Sequence, residues 1–206
     1  MKTNQLLKGT LLLAAGIFLS AAAANAAVYH ATIDTSTLTA TGNGPFSLDF
    51  QFNGGDTPGN NTVVLSSFSF GGGSASGSPT LSSGVTGSLL TSVTFTNDTA
   101  FSEFYQTFNP GTQILFDITV TQNIDGITPD SFSVAILDGT LANIDTNSPS
   151  ASLIQFDIDT TGNLSVTSSS GTGIYAGVTA AVPEPSSTML AGLLSGGLLL
   201  RRRRRN

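Results

Sequence analysis

From residue 28 to residue 179 apolar side chains return at every second position, and almost nowhere at the spacing of a helix. Phe46, Leu48, Phe50 and Phe52 are separated by Ser47, Asp49 and Gln51. Ile114, Phe116, Ile118 and Val120 alternate in the same way, as do Ile154, Phe156 and Ile158. A period of two built from Phe, Ile, Val and Thr is the signature of a strand with one buried face. Further stretches of this kind run over residues 28–33, 62–70, 89–95, 101–108, 131–137, 164–167 and 174–179. Turn chemistry separates them at Asn43-Gly44-Pro45, Asn53-Gly54-Gly55-Asp56, Asn109-Pro110-Gly111, Asp125-Gly126 and Asp138-Gly139. About ten short strands with frequent turns predict an all-β fold, a single antiparallel β-sandwich of the jelly-roll kind. Twelve of the 13 Phe fall in this body and supply its core. The run 71–79, rich in Gly and Ser, is expected to be a flexible loop within that one domain.

Charge is distributed just as unevenly. The seven basic residues are Lys2, Lys8, Arg201, Arg202, Arg203, Arg204 and Arg205, so nothing between them carries a positive side chain apart from His30. Twelve of the 13 acids lie between His30 and Asp159, which leaves a body with a charge of about −12 and no Lys or Arg to pair with. Nucleic acid is excluded as a ligand, since phosphate binding depends on Lys and Arg. There is no cysteine, so an exported chain of this kind has no disulfides and must fold on its core alone.

The two ends read as signals. Lys2 and Lys8 precede an apolar run over residues 11–19 and then small residues, the layout of a secretory signal peptide. Ala24-Asn25-Ala26 fits the small-x-small rule, which places cleavage after Ala26 and makes the secretory translocon and signal peptidase the first partners. At the other end, residues 186–200 as a helix would reach roughly 22 Å, short against a hydrocarbon core of about 30 Å. Arg201 to Arg205 form a cytoplasmic stop that can snorkel to the headgroups. Pro183 and Pro185 hold the stretch before the helix extended. The organisation predicted is therefore a signal helix over 1–26, a sandwich over 27–181, and a tail over 182–206 that carries a short transmembrane helix.

Pro183-Glu184-Pro185, then an apolar segment, then an arginine cluster, with a signal peptide at the opposite end, resembles the PEP-CTERM sorting signal of exopolysaccharide-producing Gram-negative bacteria. That resemblance implies recognition and cleavage of the tail by exosortase, a membrane-embedded Cys protease. It also implies transient inner-membrane anchoring before surface display or release, and association with exopolysaccharide. In the body, the stretches around Phe50-Gln51-Phe52, Phe104-Tyr105-Gln106 and Ser131-Phe132-Ser133 resemble, more loosely, a group of uncharacterised PEP-CTERM proteins, which implies no known activity.

Chemistry in the body is sparse. His30 is the only histidine and is expected to face solvent, so neither a catalytic triad nor a zinc site can be assembled. Paired carboxylates are the one catalytic arrangement available, as in glycoside hydrolases. Asp157 and Asp159, two apart, share a strand face, and Glu103 is the sole Glu of the body. No organic cofactor is implied, whereas Asp157 and Asp159, with turn aspartates such as Asp138, offer hard oxygen ligands to Ca2+. Thr35, Thr37, Thr39 and Thr41, if extended, would line one face with hydroxyls in the manner of an ice-binding ladder. The expected function is a non-enzymatic cell-surface or matrix protein, sorted by its tail and associated with exopolysaccharide. The alternatives are a carbohydrate- or Ca2+-dependent binding module and, third, a glycoside hydrolase.

Overall fold

Two antiparallel sheets face one another across a core dominated by phenylalanine. The computed structural model describes residues 26–54, 59–124, 127–144, 152–168 and 175–181. The predicted signal helix over 1–26, except for Ala26, and the tail over 182–206 with its predicted transmembrane helix lie outside these residues, and no helix among the described residues is long and apolar enough to cross a membrane.

The strands are β1 Ala26–Asp34, β2 Phe46–Asn53, β3 Thr62–Ser69, β4 Ser74–Ala75, β5 Thr80–Leu81, β6 Val85–Gly87 and β7 Val93–Thr96. They continue with β8 Ser102–Asn109, β9 Gln113–Thr121, β10 Asp130–Leu137, β11 Ile154–Ile158, β12 Leu164–Ser168 and β13 Tyr175–Ala180. One sheet has the order β13-β1-β9-β3-β7-β6. The other has the order β12-β11-β10-β2-β8-β4, with β5 also paired to β8. The pairs β1–β9, β2–β8 and β3–β7 are nested, the chain folding back on itself like one long hairpin wrapped into two layers. Nested pairing of this kind is the order a jelly roll follows.

The alternation seen in the sequence is what seals the layers. Leu48, Phe50 and Phe52 of β2 point inward from one sheet, and Ile114, Phe116, Ile118 and Val120 of β9 from the other, all essentially inaccessible to solvent. Phe50 is the hub. Its ring lies 5.6 Å from Phe104, 5.8 Å from Phe116 across the interface, and 6.3 Å from both Phe68 and Phe132. Such pairs contribute about 0.5–1.5 kcal/mol each beyond the area they bury.

Three expectations are corrected. Residues 71–79 are not a loose loop: Gly71 and Gly72 turn the chain and Ser74–Ala75 pair with Asn109 and Phe108 of β8. Gly73 sits so close to the Asn109 carbonyl oxygen that a β-carbon would collide with it, so this glycine serves packing rather than flexibility. The strand expected from residue 89 starts only at Val93. Leu89 instead plugs the core from the β6–β7 hairpin, its N–H donating to Gln106 Oε1 at 3.0 Å. Lastly, Thr35 to Thr41 do not form a strand ladder. Leu38–Ala40 make a short 3-10 turn that buries Leu38, Thr35 is itself buried, and the Thr39 and Thr41 hydroxyls donate to the Ser36 and Leu38 carbonyls.

At one end of the sandwich a buried polar knot ties the sheets together. Asp130 Oδ2 accepts from Asn61 Nδ2 at 2.9 Å and Asn97 Nδ2 at 2.8 Å, linking the start of β10 to the segments flanking β3 and β7. Asn97 Oδ1 accepts the Asn61 N–H, and Asn61 Oδ1 accepts the Asn123 N–H, so each buried amide is used at both ends.

Candidate functional site

β2 is the central strand of its sheet, flanked by β10 and β8, and its outward positions are Ser47, Asp49 and Gln51. The register sets Asp49 between Tyr105 and Ala135, and Gln51 between Glu103 and Ser133. Although it belongs to the outer face, Asp49 is only 3 % exposed. Gln51 Nε2 donates to Asp49 Oδ2 at 2.8 Å and to Glu103 Oε1 at 3.3 Å, so one amide holds two carboxylates together. Asp49 Oδ1 is buried and meets no hydrogen-bond partner. Burial, followed by repulsion from Glu103, pushes the Asp49 carboxyl up to about 7, against the hydrogen bond from Gln51. The group therefore exchanges its proton near neutrality, which is what an acid–base residue requires.

Sequence reasoning did not find this pair. It chose Asp157 and Asp159, two apart in the sequence and expected on one strand face, although β11 ends at Ile158 and Asp159 lies in the turn beyond it; Asp49 and Glu103 are instead brought together by β2–β8 pairing across more than fifty residues. The available signal was an aspartate set between Leu48 and Phe50 in a strand whose inward positions are all large and apolar.

Asp157 and Asp159 do lie near one another, along a groove of about 380 Å³ also lined by Asp130, Ser131 and Asn163. Their partners are local. Asp157 Oδ1 accepts from Gln155 Nε2 at 2.8 Å. Asp159 Oδ1 accepts from the Thr161 N–H, the Thr161 hydroxyl and the Asn163 N–H at 2.7–2.9 Å, which closes the β11–β12 hairpin. Hydrogen bonds from Thr161 and Asn163 hold its carboxyl far below the usual range. Asp138 is held by Thr140 and Ala142 in the same way. Among the described residues no three Asp, Glu or His side chains converge as a metal cluster.

His30 faces solvent, as expected, but it is not alone. The β1–β9 register sets it beside Asp117, and Nδ1 lies 2.6 Å from Asp117 Oδ1. Partial burial acts to raise the Asp117 carboxyl, but hydrogen bonds from His30 and Ser67, with the His30 charge, bring it below its ordinary value.

Ala26 opens β1 opposite Thr121, so the predicted signal cleavage falls where the strand begins; Ala24 lies outside the described residues. At the other end the ladder runs to the last residue described, the Ala181 N–H donating to the Val28 carbonyl at 2.8 Å. Pro183, Glu184, Pro185 and Arg201 to Arg205 follow immediately, outside the described residues. Residues 181–205 match the family described as the PEP-CTERM protein-sorting motif. The tail is a PEP-CTERM protein-sorting motif. It implies export, recognition by exosortase, and membrane-associated sorting ahead of cell-surface display. The match does not extend into the sandwich, and no curated protein and no solved structure matches the chain.

Proposed function

We propose that the chain is a non-enzymatic surface or matrix protein, anchored briefly in the inner membrane by its tail, cut at Pro183-Glu184-Pro185, and associated with exopolysaccharide. The carrying observation is the sorting motif that starts where β13 ends, which makes the tail an address attached directly to a folded cargo. A body with no Lys or Arg favours neutral glycans over polyanionic ones, except where divalent cations bridge. The test is mass spectrometry of membrane and released fractions, with and without Arg201–Arg205. Loss of the tail from the surface-located protein is expected, together with its mislocalisation once the arginines are gone. An intact tail on mature surface protein overturns the reading.

A carbohydrate- or Ca2+-dependent binding module is the second reading, favoured by the outer face of the β2 sheet. There Gln51, Glu103 and Tyr105, each part-exposed, set amide, carboxyl and aromatic groups side by side, the mixture that holds sugar hydroxyls and a ring face. A glycan array probed with and without chelator separates this reading from a purely structural role, and hydrolysis of a bound glycan that depends on Glu103 would promote the third.

A further inference from the structure

Both ends of the described chain, and much of its exposed apolar surface, lie at the same end of the sandwich. Ala26 pairs with Thr121 at the close of β9, and Ala181 is bonded to Val28, which pairs with Thr119. The tail thus leaves two strands, about 10 Å, from the point where β9 runs out toward β10. The segment that joins β9 to β10 carries Ile124 and Ile127, 71 % and 81 % exposed. Phe101, just before β8, is 45 % exposed at this end too, since Ser102 pairs with Phe52 and Gly54 is bonded to Ala100. The Asn61–Asp130–Asn97 knot joins the two sheets here, so these apolar side chains project from a braced surface.

Single exposed apolar residues are ordinary on a protein surface. Their relation to the tail is what gives these a reading. Residues 182–185 separate Ala181 from the start of the apolar segment and reach at most about 14 Å when fully extended. A membrane span beginning at residue 186 therefore holds this end of the sandwich against the bilayer at high effective concentration. The segment carrying Ile124 is as long as that tether, since Ile124 stands five residues beyond Thr119.

We infer that the end bearing Phe101, Ile124 and Ile127 is a membrane-facing surface, which dips these side chains into the outer leaflet of the inner membrane while the tail is uncut. This rests on reading residues 186–200 as the anchor. The contact is apolar rather than electrostatic, because Asp98 and Asp159 are exposed at this end and no cation accompanies them. It is too small to bind a membrane once the tether is gone, so cleavage by the protease releases the body outright. Docking also fixes the orientation in which the Pro-Glu-Pro stretch meets a protease embedded in the same bilayer.

The chain has no Trp, so a single introduced one reports its own surroundings. Full chains carrying Ile124→Trp, Ile127→Trp or Leu90→Trp, tails intact, are inserted into vesicles of phosphatidylethanolamine with a minor share of phosphatidylglycerol. Leu90 is equally exposed, at 78 %, but sits in the β6–β7 hairpin toward the opposite end. The expected result is flotation of all three, with blue-shifted emission and quenching by brominated lipid at 124 and 127 and a solvent-like spectrum at 90. Flotation with all three alike overturns the membrane-facing surface and leaves the anchor standing. Failure to float overturns the anchor, and the inference with it.

Discussion

Replacing Asp49 by Asn should make the protein more stable at neutral pH, and the gain should vanish in mild acid. The carboxyl is raised from 3.8 to about 7 in the folded state by burial and by Glu103. A shift of that size corresponds to about 4 kcal/mol at 1.36 kcal/mol per unit. The folded state binds the proton more tightly than the unfolded chain, so the benefit is complete below pH 4, declines between pH 4 and pH 7, and is gone above. At pH 8 the wild-type protein thus carries a buried charge facing Glu103 with one oxygen unpartnered, and Asn removes that charge while still offering Gln51 an acceptor. Local relaxation reduces the measured figure to about 2–4 kcal/mol. Urea unfolding of both proteins at intervals from pH 4 to pH 8 reads the effect. Other carboxylates titrate identically in the two and cancel in the difference. A difference that does not change with pH refutes the reasoning, because it means Asp49 titrates as an ordinary surface acid. Glu103→Gln should give the same trend at smaller amplitude, since burial remains when the repulsion is removed.

Phe50→Ala should cost about 3–5 kcal/mol in the same urea assay, because four rings lose their common neighbour in a core that cannot collapse around the gap. Asp159→Ala should speed amide exchange in the β11–β12 hairpin and flatten the acid limb of the stability curve. The sign follows from a lowered carboxyl, whose stabilisation is present above its unfolded value and lost as pH falls. Isothermal titration with Ca2+ tests the ligand role expected of Asp157 and Asp159: heat that disappears in Asp157→Asn supports it, and absence of heat at millimolar Ca2+ removes it.

How much of this was legible beforehand depended on whether the information was local. Each of the ten strands expected from alternation has a counterpart, because a buried face imposes period two on the residues that form it. The two- and three-residue strands β4, β5 and β6 had no such signature; Ser74–Ala75 and Thr80–Leu81 are strands only because β8 lies beside them. Thr35 to Thr41 failed for a related reason: alternating threonines match a strand, yet Asp34 accepts the Ser36 N–H and starts a turn instead. Asp49 and Glu103 required register, and register is set by the whole sheet. The sorting motif needed none of this, being linear in the sequence.

The missing Lys and Arg explain why the acids are placed as they are. A buried or bonded carboxylate in most proteins can recruit an ammonium or a guanidinium, but in this body only His30 can serve, and it is spent on Asp117 at the surface. Neutral donors must do the rest. Asp138 and Asp159 are wrapped by Thr hydroxyls and backbone N–H groups at tight turns, where three donors converge without crossing the core. Asp130, fully buried, takes amide hydrogens from two asparagines that flank β3 and β7 of the facing sheet. Asp49 has one donor from an amide it shares with Glu103, an acid for a neighbour and a buried oxygen left over, so its remaining way to be neutral is to keep its proton. A lysine introduced beside it therefore separates the two explanations of its burial. Ala135, which faces Asp49 across the β2–β10 register, is the position for it. Ala135→Lys should abolish the pH-dependent advantage of Asp49→Asn by supplying the missing charge. If that advantage survives the lysine, burial alone governs Asp49, and the scarcity of cations has nothing to do with its proton.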